Sequence, residues 1–361
     1  MQQGFTKMFR CRASWITAAI IMLALPPASL AATESISFEG KTVTIVIGSS
    51  AGGTTDASAR LMGSFMSKHL PGKPSVVVQS KPGAHSMVAM NYFTQQVKPD
   101  GLTVAVGSGS QLDPVNYRVS QSRYDPTKFF MVGGVDLGGG IVIIRNEALP
   151  RLKDKAAAPV IMGSQSGVPH STMMPIAWGI DYLGWNVKWV SGYPSTTAGL
   201  SLALERGEID ITAFSTSGLT GSLLDKSRYT VIYQTGSDRC HTPSSLPSVQ
   251  DVPIFGEAMQ GKITDPLTQQ AFTYWCNGSS IGTWMALPPG TPAAIVDIYR
   301  AAFSKVAADP DFLEQGRKYS QDFSAVSFES LTAAARANGE VSPDVRDVLP
   351  QMLRRQGLAL N

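Results

Sequence analysis

The first residue with chemistry to offer is a serine in a glycine-flanked turn. Gly48-Ser49-Ser50-Ala51-Gly52 fits the G-x-S-x-G pattern of a hydrolase nucleophile elbow, which exposes a serine hydroxyl on a sharp strand-to-helix turn. Its surroundings argue against that chemistry. An elbow leads at once into its helix, and its oxyanion loop lies upstream, whereas Ser50 is followed by Ala51-Gly52-Gly53 and sits after the first expected strand. His69, His85, His170 and His241 show neither HxxxH nor HExxH spacing, so a metal centre has no support and no cofactor is expected. His69 falls near a helix C-terminus, where the helix dipole favours a cation. The dinucleotide fingerprint G-x-G-x-x-G and the full P-loop pattern G-x-x-x-x-G-K-S/T are both missing from the chain.

The same turn has backbone to offer. Gly52 and Gly53 let the chain approach a ligand with no Cβ in the way. Thr54 or Thr55 caps a helix whose first N–H groups, backed by the helix dipole, point at one spot. Such a place binds an anion without a basic side chain. Asp56 is unsuited to touching an anion and is expected to accept backbone N–H groups or to order a water. The construction recurs at Ser80-Lys81-Pro82-Gly83-Ala84-His85-Ser86, at Gly107-Ser108-Gly109-Ser110 and at Gly163-Ser164-Gln165-Ser166-Gly167. In an open parallel sheet all such loops lie at the carboxyl ends of strands, where ligands bind.

The elements that must position these loops can be read from periodicity. Thr42–Ile47 is a strand, Thr55–Leu70 a helix, Ser75–Gln79 a strand, His85–Val97 a helix and Leu102–Val106 a strand. This β-α-β-α-β order predicts an α/β domain with a parallel sheet. A second set follows: strands at Val160–Met162, Asn186–Val190, Glu208–Phe214 and Tyr229–Gln234, with helices after Pro169 and over Ser195–Arg206. The glycine-rich stretch Gly133–Ile144 is expected to carry the chain across, and Cys276–Leu287 to carry it back. Helices are predicted over Thr291–Ala308 and Phe328–Leu353. The expected boundaries are a leader at 1–31, domain I at 33–143 plus 276–361, and domain II at 144–275. Trp178, Trp185, Trp189 and Tyr193 could line the site of an aromatic ligand, but their spacing fits helix and strand core better.

The leader is basic at Lys7, Arg10 and Arg12, apolar from Ala13 to Leu25, and closed by Pro26-Pro27 and Ala28-Ser29-Leu30-Ala31, a secretory signal with cleavage expected after Ala31. It carries three basic residues and no acidic ones, so its removal lowers Lys+Arg from 30 to 27, equal to the 27 Asp+Glu. A neutral mature chain excludes the basic excess of a nucleic-acid surface. Cys240 and Cys276 remain, and in an exported chain such a pair is expected to be bridged, two buried free thiols being the alternative.

Taken in order, these segments resemble the periplasmic solute-binding proteins of tripartite tricarboxylate transporters, the Bug family. The resemblance rests on Thr44-Ile45-Val46-Ile47 with Ala51-Gly52-Gly53-Thr54-Thr55-Asp56, on Lys81-Pro82-Gly83-Ala84, and on Pro99-Asp100-Gly101. It continues through Gly163-Ser164 to His170, Glu205-Arg206-Gly207-Glu208-Ile209-Asp210, Leu246-Pro247 to Glu257, and Leu287-Pro288-Pro289-Gly290-Thr291-Pro292. It implies a two-domain α/β periplasmic-binding-protein (Venus-flytrap) fold, each domain a mostly parallel sheet flanked by helices, with the ligand in the interdomain cleft. It implies no catalysis, a small organic carboxylate as ligand, membrane permease subunits as partners, no nucleic acid, a monomer, and a periplasmic location. The implied ligand contacts are Ala51, Gly52, Gly53, Thr54, Thr55, Asp56, Gly83, Ala84, His85 and Ser86 from the first domain, to which the loop after the third strand adds Ser108. From the second they are Ser164, Ser166, Tyr193 and Asp210. Ser50 departs from the family pattern, where a proline is usual, and His85 stands where a small residue is usual. Two other functions stay open: a secreted hydrolase built on Ser50, and a ligand sensor feeding a signalling receptor.

Overall fold

Alternation with a period of two runs through the strands of the first sheet and divides its core in two. In β1 (Thr42–Ile47) Val43, Ile45 and Ile47 enter one buried cluster and Val46 another. β3 (Thr103–Ser108) divides likewise, Val104 and Val106 against Ala105, and β10 (Thr283–Leu287) sends Met285 and Leu287 one way and Trp284 and Ala286 the other. A sheet apolar on both faces must be covered on both. α1 (Thr54–His69), α8 (Ala293–Ala307) and α9 (Pro310–Arg317) cover one face. α2 (Met87–Gln95) and α10 (Phe328–Glu340) cover the other. The computed structural model describes residues 36–164, 171–193, 197–216, 219, 221–236, 240–278 and 281–358; the expected leader and Ser166 lie outside them.

The first sheet has the order β11-β4-β10-β3-β1-β2, with β2 at Ser75–Ser80, β4 at Phe130–Asp136 and β11 at Ser324–Val326. β1 pairs in parallel with β2 and β3, while β10 runs against β3 and β4, and β11 against β4. The second sheet has the order β7-β6-β8-β5-β9, built from β5 (Gly140–Arg145), β6 (Val160–Ser164), β7 (Val187–Ser191), β8 (Ile211–Ser215) and β9 (Tyr229–Gln234). β6 is parallel to β7 and β8, and β5 is antiparallel to β8 and β9. β5 and β10 are each the first strand met after the chain changes sheet. This is the expected two-domain α/β architecture, with both sheets mixed.

The crossing segment is shorter than Gly133–Ile144. Residues from Gly133 to Asp136 finish β4 and Gly140 begins β5, leaving Leu137–Gly139 as the connection. The second core gathers α4 (Met174–Tyr182), α5 (Thr197–Arg206), α6 (Phe255–Ala258) and α7 (Pro266–Gly278) around Trp178 and Trp185, both fully buried. Trp178 meets Phe272 edge-on with ring centres 5.2 Å apart, and Trp185 stacks on Tyr233 at 5.8 Å. These rings are core, as their spacing predicts. Cys240 and Cys276 form a disulfide with Cα atoms 5.8 Å apart, tying the segment after β9 to α7 inside this core.

The C-terminal region departs from expectation. The stretch Phe328–Leu353 is two helices. α10 ends before Val341, and Ser342 caps α11 (Pro343–Arg355) by accepting the Val345 N–H. Proline at the first helical position, after a serine cap, stops one helix and starts the next. α11 also leaves the first core. Val345, Leu349, Met352 and Leu353 pack into the second. Gln356 donates to the Ala177 carbonyl and to Asp181 Oδ1, and it accepts from Trp189 Nε1. Residues 343–358 therefore pack with the domain opposite to the one that the boundary 276–361 gave them. Among the described residues no helix is long and apolar enough to cross a membrane.

Candidate ligand-binding cleft

Both sheets present the carboxyl ends of their parallel strands to one place. β1 ends in the turn Gly48–Gly53 and leads into α1, whose N-cap is Gly53 with no side-chain cap. Ala57 is the first residue of α1 to donate back, to the Gly53 carbonyl, so the N–H groups of Thr54, Thr55 and Asp56 have no partner within the helix. Asp56 is buried and turned inward. Its Oδ2 accepts the Gly52 N–H at 2.9 Å and Arg60 Nε at 3.0 Å, and its Oδ1 pairs with Arg60 at 3.0 Å. The Arg60 hydrogen bond holds the Asp56 carboxyl below the usual carboxylate value, helped by the Gly52 N–H and opposed by burial. It stiffens the loop and leaves the amino end of the helix open, the backbone-holding role its type predicts.

The second loop packs directly on the first. A Cβ at Gly48 would lie 2.2 Å from Ser86 Cβ, so only glycine lets the two turns touch. Ser80 Oγ donates to the Ser49 carbonyl across the same seam. Beyond Gly83 the backbone turns left-handed for three successive non-glycine residues, Ala84, His85 and Ser86, with φ of 44°, 52° and 74°. Each costs about 1 kcal/mol or more, and such strain concentrates where backbone is presented to a ligand. The turn delays the helix expected from His85, so α2 starts at Met87. His85 itself is exposed.

The third loop behaves differently. Ser108 closes a capping box with Gln111 around the short turn Gly109–Leu112, and its hydroxyl also meets Ser110 Oγ at 2.9 Å, so it already serves the loop. From the second domain, Ser164 is fully buried at the end of β6, its carbonyl accepting the Gly192 and Tyr193 N–H groups. Tyr193 packs half-buried against the second core, and burial, then the Glu208 carboxylate, raise its phenol. Asp210 is a correction. It stands at the amino end of β8, opposite the cleft, where its Oδ2 accepts Arg151 at 2.9 Å and the Ile161 N–H at 3.0 Å, with Arg145 at 3.9 Å from Oδ1. It is a buried clamp between strands and not a ligand contact. Ser50 is exposed, with no hydrogen bond to any histidine among the described residues.

The cleft has two parts that share Lys318 and Tyr319. The larger, about 350 Å³, is lined by Gly52, Gly53, Thr54, Ala57, Ser58 and Leu137 together with those two. The smaller, about 210 Å³, is shared by Lys318 and Tyr319 with Thr216 and Leu219 of the second domain. The turn after α9 was not foreseen, since nothing in Arg317-Lys318-Tyr319-Ser320 marks a site. It arrives because β11 runs against β4, which brings the start of β11 beside the end of β4. Ser320 Oγ donates to the Leu137 carbonyl at 2.7 Å, and Asp322 accepts from the Ser245 N–H at 2.7 Å and from the hydroxyls of Ser244 and Ser245, so the turn is fixed to the connection and to the second domain.

No protein-family model matches the sequence, and a comparison with curated protein sequences finds no match. Solved structures do match. A TctC solute-binding protein from Polaromonas aligns at 18% identity over 88% of this chain and 100% of its own, with a TM-score of 0.60. The malate-bound MatC of Rhodopseudomonas palustris aligns at 19% identity, 86% and 98% coverage and TM-score 0.59. An adipate-bound protein from R. palustris aligns at 19%, 88% and 98%, and 0.61.

Proposed function

We propose, for a chain that folds as the tripartite tricarboxylate-type periplasmic solute-binding proteins do, that it is a member of that family and captures a small organic carboxylate without chemistry. The observation that carries this is the open amino end of α1, which lines the larger part of the cleft, with the left-handed turn Ala84–Ser86 packed on the loop before it. The N–H groups of Thr54, Thr55 and Asp56 have no partner within the helix, and the Asp56 carboxylate is held by Gly52 and Arg60. A few charge-assisted hydrogen bonds at about 1.5–3 kcal/mol each support micromolar binding. Carboxylates in the related structures that hold malate and adipate accord with this assignment.

The wider assignments follow from it: export to the periplasm, action as a monomer, delivery to membrane permease subunits, and closure of two domains around the ligand. We place domain I at 36–137 with 281–341 and domain II at 140–278 with 343–358. Ala51, Gly52, Gly53, Thr54, Thr55, Gly83, Ala84, His85 and Ser86 form the first-domain half of the site, Asp56 holds it in shape, and Ser166 remains assigned to the second.

The test is a thermal-shift screen of the protein without its leader against mono-, di- and tricarboxylates. A ligand at a hundredfold its Kd adds about 2.7 kcal/mol of stability. A raised Tm with one class of acid supports capture. A flat panel, with ester hydrolysis that disappears in Ser50→Ala, replaces it with the hydrolase.

A further inference from the structure

One carboxylate of the first domain takes its hydrogen bonds from the second. Asp322 stands in the turn just before β11, and Ser244 and Ser245 follow β9. Asp322 Oδ1 accepts the Ser245 N–H at 2.7 Å and the Ser245 hydroxyl at 2.6 Å, and Oδ2 accepts the Ser244 hydroxyl. Asp322 makes no salt bridge among the described residues. The second domain holds these donors by its own bonds. The Ser244 N–H donates to Gln234 Oε1 at 2.7 Å, and the fully buried Gln234 donates to the Val249 and Val252 carbonyls at 2.8 Å. Two hydroxyls and an N–H, fixed in place, suit a carboxylate, and hydrogen bonds to an ionised acceptor are the strong ones.

This contact lies at the connection between the sheets. A Cβ at Gly138 would fall 2.5 Å from Asp322 Cβ, so a side chain there would push the aspartate away. On its own side the turn is tied to the same connection, because Ser320 Oγ donates to the Leu137 carbonyl at 2.7 Å and accepts the Asp322 N–H at 3.2 Å. Ser320 and Gln321 line the smaller part of the cleft, as does Leu246 beside the two serines. The contact therefore flanks the cleft where the chain crosses between domains.

We propose that Asp322 is a clasp, a positioning residue that holds the two domains near the spacing at which the cleft binds. All its partners are protein groups, so it acts independently of any ligand. This rests on the two-domain closure proposed above and not on which acid is captured. When the clasp is broken, water satisfies the carboxylate and the serines separately, and the domains part more easily. Apparent affinity scales with the fraction of molecules in the binding-competent arrangement, so a looser pair of domains binds more weakly with every ligand contact intact.

The experiment is small-angle X-ray scattering of the protein without its leader, alone and with saturating adipate as the carboxylate probe, for wild type, Asp322→Ala and Ser245→Ala. Adipate is also titrated calorimetrically into each, and circular dichroism and Tm are recorded. Ser245 is exposed, so its variant keeps the fold and decides the matter alone if Asp322→Ala does not fold. The expected result is a larger radius of gyration in both variants without adipate, and a return to the wild-type value with it. Adipate is expected to bind Asp322→Ala about tenfold more weakly, and the double variant no more weakly than that, since both changes remove one contact. A radius of gyration unchanged in the folded variants overturns the clasp, as does an enlargement that persists while adipate is bound. Enlarged variants beside a wild type that ignores adipate support the clasp and count against carboxylate capture alone.

Discussion

At the residue scale the site depends on what is absent at Gly48 and on what Asp56 holds. Gly48→Ala places a Cβ where Ser86 Cβ already sits, 2.2 Å away. The two loops must separate, so ligand affinity is expected to fall at least tenfold, about 1.4 kcal/mol, by titration, while circular dichroism of the helices changes little. Asp56 gives a pH signature. Its folded pKa lies below 3.8, so its contribution to stability is present above 3.8 and is lost as pH falls through the lower folded value. Urea unfolding followed from neutral pH into the acid range is expected to show that loss in wild type and a flatter profile in Asp56→Asn. Loop residues of this kind were legible in the sequence, because glycines and a capping acid have meaning in the local chain. Asp210 was not. Its motif looked like site chemistry, yet its carboxylate faces Arg151 and the Ile161 N–H at the far end of the sheet. Only the direction of β8 reveals that.

At the scale of elements, each connection tests a different force. α11 is held to the second core by apolar burial, and Leu353 is buried within it. Leu353→Ala is expected to cost about 2–5 kcal/mol in chemical unfolding. If α11 were only a solvated tail, the change would be within error. The Cys240–Cys276 disulfide closes a loop with a sequence separation of 36. Reduction releases that chain in the unfolded state and is expected to lower stability by about 3–4 kcal/mol, seen as a lower Tm with reductant. The strand and helix order was readable from alternation and periodicity. The break between α10 and α11 was also present in Ser342-Pro343, a capping signal hidden inside a longer helical pattern. The reversed strands β5 and β10 were not readable, since strand direction depends on which distant strands a segment pairs with.

At the scale of the whole molecule, groups far apart in sequence tie the two domains together. Tyr274 on α7 donates its hydroxyl to Asp113, the N-cap of α3 (Pro114–Tyr117), across the boundary. Burial pushes the Asp113 carboxyl up, and the Tyr274 bond opposes that rise. Tyr274→Phe leaves this carboxylate short of a donor and is expected to cost about 1–3 kcal/mol in urea unfolding. A cost near zero would mean that water replaces the phenol without loss. The amino-acid sequence by itself determined the α/β class, the two-part organisation, the tryptophan core and the glycine loops at strand ends, because each follows from interactions a few residues long. The tertiary structure decided that Lys318, Tyr319 and Thr216 share the cleft, that Asp210 does not, and that the last helix returns to the second domain. Those facts depend on strand direction and on which apolar face finds a partner, and no local pattern encodes either.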